Sequence, residues 1–312
     1  MIHTAGIHEG RHQPGTEDWW GESWYLDFVT DDGDFGGYVR VGLYPNRGVA
    51  WYWLYFVGND LPLIRIRDHQ TPCPDDENLT FSGSNWTSRL LWEDPRWVLR
   101  AEGQALALDD PLEAYRGERG SPVQIRAALS WEGIGPVYHW EITTRYEQTS
   151  QIRGEVTIGE KHYQVNCMGQ RDHSWGVRSW DTSHCWSAGR LEDGTSYHLT
   201  DIIQFGFMVG YVNSPDGTQF PITNGGGVYD WDEDLLLRSG EWSLSANDVS
   251  LGLSVKPKHL APVMLEAPDQ RYTLFPRSTI ELAASDGRKG LGWIEFCFPN
   301  GERPTLPRNE RG

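Results

Sequence analysis

The run Gly169-Gln170-Arg171-Asp172-His173-Ser174-Trp175-Gly176-Val177-Arg178 places an acid, a base, two guanidiniums and an indole between two glycines. An acid beside a base is the minimum equipment for proton transfer, which makes Asp172 and His173 the first catalytic candidates. On a strand, Arg171, His173 and Trp175 face one way and Asp172 and Ser174 the other, unless the glycines bend the backbone and bring acid and base together. The competing reading is an Asp-His-Trp cluster that only ties a strand end to a neighbouring loop.

Downstream of the Asp193-Gly194 turn, a strand would carry Tyr197, Leu199 and Asp201 on one face and His198 and Thr200 on the other. One of these faces is expected to complete the site. Asp201 therefore joins Asp172, His173 and Trp175 as a catalytic candidate, with Arg171, Trp180, Tyr197 and His198 as candidate substrate-binding residues. No metal is expected, because the spacings of His173, His184, Cys185 and His198 match no zinc pattern, and Asp230–Asp234 lacks the glycine and glutamate of a calcium loop. Serine-hydrolase elbows, phosphate loops and dinucleotide fingerprints are absent, so no cofactor is expected.

Sixteen Trp and thirteen Tyr beside 35 Gly and 18 Pro in 312 residues favour short aromatic strands and tight turns over helices. A formal charge of −17 argues against nucleic acid or an anionic membrane as partner, since both need a basic surface. A small lipophilic molecule is the expected partner. Met1–Gly6 has no basic segment followed by an apolar stretch, and no run approaches the ~20 apolar residues of a membrane span, so a cytoplasmic location is expected. Cys73, Cys167, Cys185 and Cys297 form no close pair and are expected to be reduced, mostly buried thiols.

Period-2 alternation marks strands at Val123–Trp131 and Tyr38–Leu43, and Asp193-Gly194, Asp216-Gly217 and Asp286-Gly287 mark hairpins of an antiparallel meander. Val49–Val57 is apolar throughout, as in a strand buried on both faces or one whose outer face meets another domain, the second being preferred. Asp110-Pro111-Leu112-Glu113 opens one short helical turn that ends by Gly117, and Gly225-Gly226-Gly227 is expected as a bend between hairpins. The polar stretch Arg145–Arg153 suggests a boundary near Thr149-Ser150, giving domains 1–150 and 151–312, with the Asp-His motif in the second.

Asp172-His173-Ser174-Trp175-Gly176 resembles the Asp-His-Asn-Trp-Gly signature of carotenoid 1,2-hydratases and their AttH-like relatives. Glu22-Ser23-Trp24-Tyr25 and Tyr146-Glu147-Gln148 resemble further segments of those relatives. The resemblance implies an all-β fold of two lipocalin-like antiparallel barrels in tandem. It also implies cofactor-free addition of water to an isoprenoid double bond, with His173 and Trp175 in the reaction and Asp201 at the aspartate of a downstream Tyr-x-Asp pair. Leu199 stands where that pair has Tyr, and Ser174 where the signature has Asn.

The chemistry also follows without the family. Hydrating an electron-rich alkene needs an acid that stays protonated near neutral pH, a role first given to Asp172. An aromatic face such as Trp175 or Trp180 would steady the carbocation, and His173 would take the proton from the attacking water. Loss of a neighbouring proton gives isomerisation and capture by an internal double bond gives cyclisation. A lipocalin-like carrier that binds a hydrophobic metabolite without chemistry is the alternative from another class.

Overall fold

In the computed structural model the described residues are 9–75, 78–117, 119–178, 180–247, 249–266 and 272–304; Met1–Gly6 lies outside them. Strand follows strand, as the aromatic, glycine-punctuated composition requires. The first eleven are β1 (Trp20–Val29), β2 (Phe35–Tyr44), β3 (Val49–Gly58), β4 (Leu61–Pro72), β5 (Leu79–Ser82), β6 (Trp86–Glu93), β7 (Arg96–Leu108), β8 (Ser121–Gly133), β9 (Tyr138–His139), β10 (Arg145–Ile158) and β11 (Lys161–Val177). They pair antiparallel in the order β4-β3-β2-β1-β11-β10-β8-β7-β6-β5. Pairing of Leu63, Ile64 and Arg65 on β4 with Leu108, Ala107 and Leu106 on β7 closes the sheet into a barrel. Closure covers part of the edges that an open sheet would carry, and β5, paired among the described residues with β6 alone, remains at the end of the strand order.

The remaining strands are β12 (His184–Leu191), β13 (Ser196–Ile202), β14 (Phe207–Asn213), β15 (Gln219–Pro221), β16 (Asn224–Trp231), β17 (Leu237–Ala246), β18 (Val249–Leu260), β19 (Val263–Glu266), β20 (Tyr272–Phe275), β21 (Arg277–Ala284) and β22 (Lys289–Pro299). Their sheet runs β15-β14-β13-β12-β22-β21-β18-β17-β16 around its own core. The protein is thus nearly all β, with two large antiparallel sheets. The helical turn α1 (Glu113–Arg116) ends at Gly117 in the left-handed conformation, as its sequence indicates.

The Asp-Gly pairs at 193–194, 216–217 and 286–287 sit at the strand connections β12–β13, β14–β15 and β21–β22. Alternation sends Trp24, Leu26 and Phe28 of β1, Val39 and Val41 of β2, and Tyr52, Leu54 and Phe56 of β3 into the first core. The outward residues of β3 (Trp51, Trp53, Tyr55 and Val57) are also buried, which accounts for its unbroken apolar sequence. Cys167, Cys185 and Cys297 are buried and Cys73 is half-buried. Among the described residues no helix is long and apolar enough to cross a membrane.

Two expectations change. The break near 150 falls inside β10, which pairs with both β8 and β11. The compact units are Met1–Asp110 with Arg119–Arg178, and Pro111–Glu118 with Ser179–Gly312, so the Asp-His motif belongs to the first unit. The stretch Arg145–Arg153 reads as a linker because the outward side chains bond to polar neighbours, Arg145 to Glu147 and Glu147 to Gln170, while Tyr146 and Ile152 turn inward. Gly225-Gly226-Gly227 is not a bend but part of β16, paired with Leu244, Ser243 and Trp242.

Gly169 lets β1 approach β11 closely. A Cβ there would lie 2.2 Å from the Asp27 carbonyl oxygen. Gly169→Ala is expected to destabilise the first unit by about 1–3 kcal/mol, the usual cost of overpacking, and thermal unfolding followed by tryptophan fluorescence checks this.

Candidate active site

The three segments that carry the family resemblance are neighbours in the sheet. β11 lies between β1 and β10, so His173 is flanked by Trp24 and Tyr146, Asp172 by Tyr25 and Glu147, and Arg171 by Leu26 and Gln148. Alternation then divides them between two faces. His173 and Trp175 turn into the barrel, and Asp172 and Ser174 turn out.

On the inner face, His173 Nε2 lies 2.9 Å from Glu22 Oε1, and His12 Nδ1 lies 2.7 Å from the same oxygen. The backbone N–H of His12 also donates to both Glu22 oxygens. One buried carboxylate therefore joins two imidazoles, the connection a proton relay needs. Aromatic rings enclose it: Trp24 stacks on His173 at 4.4 Å, Trp175 stacks on His12 at 3.8 Å, and Tyr146 stands edge-on to His173 at 5.7 Å. His173 is 0% exposed, whereas His12 is partly exposed and links the cluster to solvent.

Next along the same face, Arg171 grips Glu9. Its Nη1 and Nη2 donate to the two carboxylate oxygens at 2.8 Å each, and Tyr146 Oη (2.7 Å) and Trp97 Nε1 (2.9 Å) donate to Glu9 Oε2. Burial alone would raise the Glu9 pKa, but the Arg171 charge and these donors outweigh it and hold Glu9 below the usual 4.5. Gln148 Oε1 accepts from Arg171 Nε at 3.0 Å, completing its shell.

Asp172 faces away from all of this. Arg145 Nη2 reaches Asp172 Oδ2 at 2.7 Å and Arg145 Nε reaches Glu147 Oε1 at 2.7 Å, so two carboxylates share one guanidinium. Burial, opposed by Arg145 and reinforced by Glu147, pushes the Asp172 pKa up to about 6. The folded carboxyl thus keeps its proton to higher pH than the unfolded one, and stability falls as pH rises from about 4 to about 6. Asp172→Asn is expected to flatten that slope, as measured by denaturant unfolding at a series of pH values.

The other expected site residues lie in the second unit. Tyr197 and Asp201 face its core as the alternation indicates: Tyr229 Oη donates to Asp201 Oδ2 at 2.8 Å, and Tyr197 Oη lies 3.1 Å from Ser187 Oγ. Burial, opposed by Tyr229, raises the Asp201 pKa. His198 points to the opposite face beside Trp186 and Tyr211, and Trp180 meets Phe275 edge-on. Within the first unit, then, the structure joins His173, Trp175 and Arg171 and separates Asp172 from them.

Glu22, His12 and Glu9 are not marked as site residues by spacing. Glu22 carries the one usable signal, because it alternates with Trp24 toward the face of His173. His12, Glu22 and His173 also form the cluster of potential metal ligands among the described residues, with ligand atoms within 4.8 Å of one another. Sequence spacing could not reveal this set, since its members lie on three separate segments. An open groove of about 570 Å³ at Trp86, Gly103, Ile125 and Thr157 lies near the β10–β11 turn, at the far end of the hairpin from His173, and shares no residue with the cluster.

The sequence matches the model of a domain of unknown function, DUF7064, over residues 6–300. The chain belongs to the DUF7064 family. None of the curated proteins matches it. Among solved structures, the DUF7064 chain is similar to an AttH-like protein of Nitrosomonas europaea (11% identity, covering 91% of this chain and 94% of that one, TM-score 0.61). It is also similar to kievitone hydratase from Nectria haematococca (10% identity, 94% of each chain, TM-score 0.59) and to CghA (10% identity, 92% and 90%, TM-score 0.57). The DUF7064 chain thus has the AttH-like fold.

Proposed function

We propose that this protein is a cofactor-free acid–base enzyme of hydratase type acting on a lipophilic alkene. The observation that carries the reading is the enclosed His12–Glu22–His173 relay, flanked by the indoles of Trp24 and Trp175. In the forward step a proton leaves the His173 end of the relay for one alkene carbon and leaves a cation on the other. The indole faces steady that cation, an interaction worth up to roughly 2 kcal/mol when desolvated. Water then bonds to the cation, and its surplus proton returns to Glu22 or His173. His12 exchanges protons with solvent. The same cation gives an isomer if it loses a neighbouring proton, or a ring if an internal double bond captures it.

The presence of kievitone hydratase among the fold neighbours supports the hydratase form of this reading. A second reading keeps Asp172 as the acid, and its raised pKa favours it. Its position on the outer face beside Arg145 makes it the weaker candidate.

The test is incubation of the purified protein with prenylated and isoprenoid alkenes in ¹⁸O-labelled water, read by mass spectrometry. Labelled alcohol formed without added cofactor supports the hydratase. Unlabelled isomer or ring product selects the alternatives, and binding without product leaves the carrier.

A further inference from the structure

Among the described residues, the donors that hold Glu9 come from the barrel wall: Trp97 from β7, Tyr146 from β10 and Arg171 from β11. Glu9 does not. It precedes β1, in the segment that continues through His12 to Gly15 and Glu17, whose carbonyls are held by Asn46 beyond β2. We propose that Arg171, Tyr146 and Trp97 form a binding site for a ligand carboxylate, that Glu9 fills it in the ligand-free chain, and that the substrates are lipophilic acids. The proposal rests on the reading of His12, Glu22 and His173 as the reaction centre and names the substrate class for it.

The site suits this exchange. Arg171 presents a two-pronged contact to both carboxylate oxygens, the arrangement that matches a planar carboxylate best. It is 3% exposed, and its guanidinium lies 5.4 Å from the Trp92 ring and 5.5 Å from that of Tyr146. A guanidinium so enclosed requires an anion. A neutral ligand that expelled Glu9 would strand the charge, whereas a carboxylate would restore each of the four hydrogen bonds and add the burial of its apolar chain.

Position links this anchor to the chemistry. Arg171 and His173 are next-but-one on the same face of β11, about 7 Å apart along the strand. Tyr146 touches both, its hydroxyl accepting from Arg171 Nη1 at 3.3 Å and its ring edge meeting His173. A carboxylate held by Arg171 would therefore set a double bond roughly five bonds away beside His173. Trp24, 1% exposed and stacked on His173, has no partner for its Nε1 and supplies a donor for the oxygen that the reaction adds.

The experiment uses the full chain with citronellic acid and its methyl ester, followed by calorimetry and by hydrogen exchange of the peptide that contains Glu9. The acid is expected to bind at least tenfold more tightly than the ester and to speed exchange around residue 9. Glu9→Gln, which weakens the internal occupant, should tighten the acid about tenfold more and leave the ester unchanged. Equal affinity for acid and ester, no binding of the acid, or acid binding with unchanged exchange at residue 9 would each overturn the proposal, and these arms need only the wild-type chain. Glu22→Gln separates the two claims. If it binds the acid normally and turns it over at the wild-type rate, the acid site stands and the reading of the reaction centre fails.

Discussion

His173→Gln is expected to cut turnover roughly 10²–10⁴-fold, the usual worth of a positioned general acid or base. Glutamine has a similar reach and can still donate to Glu22, but it cannot carry a proton between Glu22 and a substrate. Affinity for the alkene is expected to change little, because it comes mainly from apolar burial. For a hydratase the alcohol should remain the product, formed more slowly, because His173 delivers the proton that makes the cation while Glu22 still takes the surplus proton of the captured water. Unfolding curves recorded on the same samples separate lost proton transfer from lost structure, which matters because Trp24 packs directly on His173.

Arg171→Met is expected to have the largest effect on stability. It leaves the Glu9 carboxylate, 4% exposed, without its counter-charge. Breaking one side of a buried pair costs about 3–5 kcal/mol, which for a unit of this size is a fall in melting temperature of roughly 6–20 °C. Scanning calorimetry checks this. The double variant Glu9→Gln with Arg171→Met should recover much of the loss, because no buried charge is then left alone. The wild-type pair also predicts acid sensitivity of a definite sign. Glu9 is held below its usual pKa, so its contribution is complete above about 4.5 and is lost as pH falls through the lower folded value.

Much of the architecture is legible in the chain because strands write themselves in period two and tight hairpins in Asp-Gly. The same period correctly placed Arg171, His173 and Trp175 on one face and Tyr197 and Asp201 on another. What was hidden depends on pairing across long separations. Glu22 lies about 150 positions before His173, and nothing local says that β1 will lie beside β11. His12 and Glu9 precede β1 and carry no periodicity, so their convergence on the barrel interior is a tertiary fact. The misplaced boundary has a related cause. The polar residues of β10 are satisfied by Gln170 and Asp172 on its partner β11, and without that partner in view they look like a solvated linker.

The adjacency of Asp172 and His173 illustrates the same limit. Neighbours in sequence on a strand are on opposite faces, and here no bend reunites them. The relay partner of His173 is instead the carboxylate brought by β1, and the partner of Asp172 is Arg145. The inner-face assignment is tested most directly by comparing Glu22→Gln with Asp172→Asn, both confirmed as folded, in the same turnover assay. The account expects Glu22→Gln to lose at least about 10²-fold and Asp172→Asn to stay within about fivefold of wild type. Near-normal turnover in Glu22→Gln together with a large loss in Asp172→Asn would contradict it and return the acid to the outer face.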